Sequence, residues 1–506
     1  MKYKLIGISA ALLVLACAFA AQGIETSRNR YHQHLNALPK DACTDHSSDV
    51  FCTHLPLMSI TTDAPIPEPY LFDETGAPII TQNGHSARND EMVSAIVQYF
   101  DSETENNHLT DTPVVNEYAM IRSRGNTSRE YDKKGYLLKI KAEDMIQNVN
   151  VSFSGMTPDN AWVLHGPFLD KSLIRNYLCY NLSGEIMEYA PNVRFCELFL
   201  NGEYMGIYLI VEKVGYNKNG RIDITQADPD IATTAYILQA DRGTDDTTHA
   251  LDTFANHSHL TSPVGARSGQ LEIVYPGLTL TEEQYSFIQS DFSRFEKALF
   301  SYDYKDPNKG YNRYIDTDSF VDYFLINEIT LKYDSLRFST YLYKDIGEPL
   351  KLCVWDFNSA FDYYYSSVVY PETFVLHTRL WYQYLFKDQN FVDQVAKRYY
   401  ELREKYFNEE YLFNYIDATV EYLGPAIDRN FEKWGYSFNS SYNGVNYDYL
   451  IPVERNVRSY DEAIAQIKNT ISSRIIHMDQ NLDRLYSLCH ESINKQYNHT
   501  PEGSSR

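Results

Sequence analysis

The sequence predicts an α+β chain in two lobes, a β-rich first half and a mainly helical second half. Three observations predict it. Short alternating apolar runs separated by turn residues fill the stretch from Val114 to Tyr275, as expected of strands that bury one face. After Pro276 the apolar residues recur at helical spacing. Within that helical half sits a single strand pair, and the chain shows no internal repeat.

Residues 22–112 are polar and punctuated by Pro and Asp, as in Asp63-Ala64-Pro65-Ile66-Pro67, and read as a loosely structured leader giving way to strands. Val114–Arg122 has β character, Arg124-Gly125-Asn126 turns, and Tyr136–Lys141 alternates as a strand. Asp170 or Ser172 N-caps a helix running to about Tyr189. Cys196–Leu200 and Met205–Glu212 are strands, joined at Asn201-Gly202 because a tight hairpin turn needs positive φ at both central residues. Ala235–Asp241 and Leu271–Tyr275 are further short strands. Thr281 opens a helix with Glu282 and Glu283 in its first turn, where the helix dipole favours acids. Asp318 caps a helix from Ser319 to about Lys332, with Phe320, Phe324, Asn327 and Leu331 on one stripe. Phe338–Tyr343 and Leu350–Trp355 form the strand pair. From Asp388 to Arg484 the chain reads as amphipathic helix, interrupted at Gly435–Asn446.

A length of 506 residues allows several domains or one large two-lobed one. The boundaries read as 1–21 signal peptide, 22–112 leader and start of the N-terminal lobe, 113–275 N-lobe, 276–490 C-lobe and 491–506 polar tail. The composition, 43% hydrophobic and 22% charged, suits a chain with a sizeable core. The net charge of -23 argues against nucleic acid and anionic membranes as partners.

Residues 1–21 carry the signal-peptide pattern. Lys2 and Lys4 precede an apolar run from Leu5 to Cys17, and Ala18-Phe19-Ala20 is a small-x-small cleavage site. The protein is therefore expected to be secreted or held in the cell envelope, with no transmembrane span after signal removal. Lipidation at Cys17 is an alternative, though Leu15 is bulky where a small residue is usual. Of the remaining cysteines, Cys43 and Cys52 flank a short polar loop suited to a disulfide in an oxidising compartment. Cys179, Cys196, Cys353 and Cys489 sit in apolar contexts, as buried small hydrophobes do.

No P-loop, dinucleotide fingerprint, HExxH or GxSxG motif is present. What the sequence does contain is acids at strand ends. Asp334 precedes the first strand of the pair, and Asp356 and Asn358 follow the second. If the strands pair as a hairpin, these residues emerge at one end, with hard oxygen donors suited to Mg²⁺. The bland reading makes them turn residues. In the first half, Arg124-Gly125-Asn126-Thr127-Ser128 followed by Lys133-Lys134 combines a backbone free to present N–H groups with cations, as an anion site would. Its bland reading is a solvated turn.

Several ordered stretches then coincide with one known family. They are Arg124-Gly125-Asn126 with Lys133-Lys134, Trp162 to Pro167 running into Asp170 to Asn176, Ala190-Pro191, and Arg194 to Leu198. Further along come Leu200 to Tyr204, Gly206-Ile207-Tyr208, Glu212-Lys213, Tyr323 to Glu328, Asp334, Ser339 to Asp345, and Trp355-Asp356-Phe357-Asn358. On these residues the chain resembles the spore-coat protein H (CotH) kinase family. The resemblance implies an atypical protein-kinase-like fold and transfer of the ATP γ-phosphate to Ser or Thr of exported or surface proteins. It implies Asp334 as the acid that orients the acceptor hydroxyl, and Asp356 with Asn358 as the Mg²⁺ (or Mn²⁺) site. Lys133 or Lys134 is implied as the phosphate-contacting lysine, with Arg124 and Asn126 in the turn nearby, and Glu212 near the lobe connection that borders adenine. Ser339 and Asn358 stand where some members carry Asn and Asp, and Asp362 stands where a Gly is frequent. One carboxylate fewer keeps a second reading open, a catalytically silent binding module of the cell surface. The 43 Tyr spread along strands and helices, as core and groove packing does, more than they mark a sugar-binding surface.

Overall fold

The computed structural model describes residues 30–40, 50–81, 86–217, 221–241, 249–257, 270–364 and 368–498. The expected signal segment, Cys17 and Cys43 lie outside the described residues. The fold is α+β, with ten α-helices among the described residues and a closed seven-stranded barrel.

The barrel strands are β1 (Leu57–Thr62), β2 (Val93–Phe100), β3 (Val115–Arg124), β4 (Gly135–Lys141), β5 (Ala161–His165), β6 (Val193–Leu200) and β7 (Glu203–Glu212). They run in the order β1-β2-β3-β4-β5-β7-β6, and β6 closes the ring by pairing parallel to β1. Alternation dictates the interior: Ile60, Val97, Ile121, Leu138, Trp162, Leu164, Leu198 and Ile210 fill one buried cluster. Asn201 and Gly202 turn β6 into β7 at φ +52° and +79°, the two positive values that the dipeptide predicts. β1 and β2 arise inside the polar 22–112 stretch, and β5 is a five-residue run whose centre is buried on both faces. A strand buried that way has no alternation to betray it.

A second sheet holds β8 (Tyr236–Asp241), β9 (Gln270–Tyr275), β10 (Thr340–Lys344) and β11 (Lys351–Val354) in the order β11-β10-β8-β9. The predicted strand pair is β10–β11, antiparallel with Thr340 opposite Val354. The helix expected from Ser172 begins at Arg175. Asp170 accepts from the Ser172 N–H and hydroxyl, and Leu173 takes φ +66°, so a tight turn occupies the positions a helix would need. Asp316, rather than Asp318, caps the helix Thr317–Ile329 by accepting from the Ser319 N–H. Thr281 caps Glu282–Phe300 in a full capping box with Gln284. Cys179, Cys196 and Cys353 are buried and Cys489 is half-buried. Among the described residues no helix is long and apolar enough to cross a membrane.

The helical half is pinned by one buried ion pair. Glu328, on the helix Thr317–Ile329, and Arg474, on the helix Tyr460–Asn481, are both fully buried and meet at 2.9 Å. The Glu328 carboxylate also accepts from the N–H groups of Val375 and Leu376, and Arg474 donates to the carbonyls of Pro371, Thr373 and Glu328. Arg474→Met removes one partner and leaves a buried carboxylate uncompensated, which typically costs about 3–5 kcal/mol. Urea unfolding is expected to show a lower midpoint with an unchanged slope, and a wild-type midpoint would refute this role.

Candidate functional site

Between the β3–β4–β5–β7 side of the barrel and the β8–β10–β11 sheet lies a cavity of about 320 Å³. The barrel side carries cations. Arg122 and Arg124 end β3, and Gly125 follows at φ +116°. A Cβ there would come within 1.9 Å of the Ser128 hydroxyl oxygen, so the turn requires glycine. Arg129, nearly fully buried, fixes the turn from behind. Its guanidinium donates to the carbonyls of Gly125 at 2.6 Å and of Pro69 and Asn89 at 3.0 Å each, and to Asp90 at 2.7 Å. Asn126 accepts from Arg88 at 3.3 Å and donates to Asp241 at 3.4 Å. The Arg124 guanidinium stands over the Trp355 ring, 5.5 Å from its centroid, a cation–π contact.

The opposite side carries carboxylates. Antiparallel pairing of β10 and β11 brings Asp334, before the first strand, and Asp356, after the second, to one end of the hairpin, and both line the cavity. Asp334 accepts from the Ser359 hydroxyl at 3.0 Å. Asp356 sits at φ +56° and its N–H donates to the Tyr180 hydroxyl at 2.9 Å. Asn176, on the helix Arg175–Ile186, orients the next residues. It accepts from the Phe357 N–H at 2.8 Å, and its amide donates to Asn358 Oδ1 at 2.7 Å and to His165 Nε2 at 3.2 Å. Below Asp356, Lys332 is fully buried, donates to the Trp355 carbonyl and lies 5.1 Å from the Phe357 ring centroid. Burial pushes this ammonium down to about 8, against the pull of Asp356 and Asp334. Left-handed backbone gathers here: among the described residues, Leu331, Leu336, Ser339, Asp356, Phe361 and Asp362 supply half of the twelve non-glycine residues with positive φ. Such residues cost energy and persist where surrounding structure over-determines them.

Of the residues singled out from sequence, Arg124, Asn126, Asp334, Asp356 and Asn358 line this one cavity. Lys133, Lys134 and Glu212 do not line it. Lys133 is buried against the Ile207 carbonyl and Asn430, each at 2.7 Å. Lys134 folds back on the carbonyls of Arg129 and Tyr131. Glu212 accepts from the backbone and side-chain amides of Asn192. Lys213, one residue on, is exposed and lines the cavity. Sequence reasoning assigned no role to Arg88, Arg122, His165, Asn176, Asp241 or Lys332. Asp241 carries the signal of a strand-terminal acid like Asp356, and His165 and Asn176 lie inside family-matching stretches.

Chemically, the cavity gathers Arg88, Arg122, Arg124, Arg129 and Lys213 with Asp90, Asp241, Asp334 and Asp356, and Asp90 holds Arg122 and Arg129 at 2.7 Å each. Cations beside hard oxygen donors suit a polyanion that carries a divalent ion. Among the described residues no cluster of three or more His, Cys, Asp or Glu forms an all-protein metal cage. Mg²⁺ commonly takes one or two carboxylates and completes its shell with waters and phosphate oxygens. The donor set of Asp356 and Asn358 fits that mode of binding.

A protein-family model described as CotH kinase protein matches residues 121–478, most of the chain. No curated protein matches the chain.

His165 offers a test of this geometry. Burial pushes its imidazole from 6.5 down to about 4, although Asp356 and Asp170 pull the other way. The unfolded chain then binds the extra proton across that interval, so this residue's contribution to stability falls as pH drops from 6.5 towards 4. His165→Gln should flatten the acid-side decline in urea stability over that window. A decline as steep as wild type would show that His165 is not held neutral.

Proposed function

The chain belongs to the CotH kinase protein family, and from that premise we propose that it is an exported, Mg²⁺-dependent atypical protein kinase. It transfers the ATP γ-phosphate to Ser or Thr of secreted or cell-surface proteins. The barrel and the helical half take the parts of the two kinase lobes. The observation that carries this reading is the β10–β11 hairpin, which presents Asp334 and Asp356 together to the arginine-bearing wall of one cavity.

Phosphoryl transfer asks a protein chiefly to position groups and neutralise charge. Arg124 and Arg122, at the end of β3, face the nucleotide phosphates, and the Gly125–Asn126 turn offers its backbone and amide. Lys213 takes the border of the nucleoside. Lys133, Lys134 and Glu212 then act behind the wall, holding the barrel end and the turn in place. Asp356 and Asn358 hold Mg²⁺ (or Mn²⁺), which when bound offsets charge on the phosphate oxygens. Asp334 orients the acceptor hydroxyl and takes its proton.

Two variants divide these roles. Asp334→Asn keeps an acceptor for Ser359 but removes the charge, so transfer from labelled ATP should fall by about 10²- to 10⁴-fold. Nucleotide with Mg²⁺ should still raise the melting temperature of that variant, by mass action. Asp356→Ala should lose the Mg²⁺-dependent part of that rise. Transfer at the wild-type rate by Asp334→Asn would remove Asp334 from the catalytic role. A wild-type chain stabilised by nucleotide and Mg²⁺ that transfers no phosphate, to itself or to co-exported proteins, would replace the kinase reading with a binding module.

A further inference from the structure

Asp334 lies in a loop with little regular structure to hold it. Between the helix that ends at Ile329 and β10, Leu331, Leu336 and Ser339 all take positive φ, each costing about 1–3 kcal/mol that something else must offset. One side chain spans the loop from outside the cavity. Arg379, 9% exposed, donates through Nη1 to the carbonyls of Tyr333 and Ser335, the latter at 3.0 Å. These are the two carbonyls that flank Asp334. The same guanidinium stacks on the Tyr333 ring, 4.3 Å from its centroid. Arg379 is itself anchored, because its N–H donates to the Leu376 carbonyl at 2.9 Å. The Leu376 N–H in turn donates to the buried Glu328 carboxylate at 2.7 Å.

We propose that Arg379 is a positioning residue for the transfer reaction: it clamps the carbonyls on either side of Asp334 and so fixes where that carboxylate meets the acceptor hydroxyl. The inference rests on the phosphotransfer reading for its catalytic consequence, and on geometry alone for the clamp. Arg379 reaches no nucleotide-facing wall, so its effect belongs to the chemical step. A catalytic group displaced by about 1 Å can lose roughly 10²-fold in rate. Lysine is a poor substitute, since it lacks the planar fork that stacks and donates together.

Arg379→Ala should lower kcat by about 10²-fold and leave KM for ATP and the melting-temperature rise with nucleotide and Mg²⁺ unchanged. Guanidinium ion, added below denaturing concentration, should restore part of kcat in this variant and not in Asp334→Asn. Amide exchange at Tyr333–Leu336 should accelerate while exchange in β10 stays slow. Arg379→Lys, which keeps the buried charge, should show the same split to a smaller degree and serves if the alanine variant does not fold. Wild-type kcat with unchanged loop exchange would overturn the proposal. So would a loss of kcat matched by an equal loss of nucleotide binding, the mark of general damage. If the wild-type chain transfers no phosphate, the kinase reading falls, and the exchange measurement still upholds or overturns the clamp.

Discussion

The arrangement of the helical half depends on burying two opposite charges, Glu328 and Arg474, beyond the reach of water. Such a pair gains little net stability, because desolvation of both charges offsets much of their attraction. What it supplies is geometric definition. Each charge satisfies its remaining capacity on backbone: Glu328 takes the N–H groups of Val375 and Leu376, and Arg474 takes the carbonyls of Pro371 and Thr373. A shift of any of these elements would strand a buried charge. The end of the helix Thr317–Ile329, the 371–376 segment and the helix Tyr460–Asn481 therefore move together or not at all. Asp334 stands six residues beyond Glu328, so the loop that bears it starts from a fixed point.

The barrel uses a related device with two buried cations. Arg129 and Lys133 are almost fully buried and donate chiefly to backbone carbonyls and amide oxygen. Burial drives the Lys133 ammonium well below its ordinary value, the sign of a group held for what it ties together. It ties β7 to the helix Pro425–Trp434 through Asn430, which also accepts from the Ile207 N–H. That close approach needs Gly206: at φ +88°, a Cβ there would meet Asn430 Oδ1 at 2.5 Å. The cavity's cations are thus of two kinds, with Arg129 tied behind the turn to set its shape and Arg124 in front, over the Trp355 ring.

This division explains what the sequence could and could not reveal. Local rules are sufficient for Asn201-Gly202, for the helix start at Thr281 and for the β10–β11 pair, because each depends on residues close in sequence. The acids at the hairpin ends were legible for the same reason. Lys133 and Lys134 look alike in sequence, yet one is defined by Asn430, nearly three hundred residues away, and the other by the carbonyls of its own turn. Lys332 and Arg379 carry no motif at all. Their partners are backbone carbonyls, which every sequence has, so nothing in the residue types announces the contact. Asp170 reads as a helix cap because cap residues and turn residues share chemistry, and only the path of the chain beyond Leu173 separates the two outcomes. Asp318 reads as a cap because Asp is favoured both at a cap and in the first turn behind it, where it stands two residues after Asp316.

The Asp356–Asn358 side of the cavity is economical in charge. Asn358 contributes a neutral amide, and its oxygen already accepts from Asn176 at 2.7 Å, leaving one lone pair towards the cavity. Asp356 is the one formal charge of that pair. Asn176 cannot turn its amide without losing the Phe357 N–H from its own oxygen, so the orientation of Asn358 is set by the helix that bears Asn176. A divalent ion bound by these groups alone would keep most of its shell as water, an inexpensive state to leave. In the proposed reaction the phosphates supply the missing negative charge, and the arginines on the barrel side hold the phosphates. Metal and nucleotide then bind as one unit, each completing the other's site. That makes the spacing between the β3 turn and the β10–β11 hairpin the dimension on which affinity depends. The barrel end of it is set by Arg129, and the hairpin end by the Glu328–Arg474 pair.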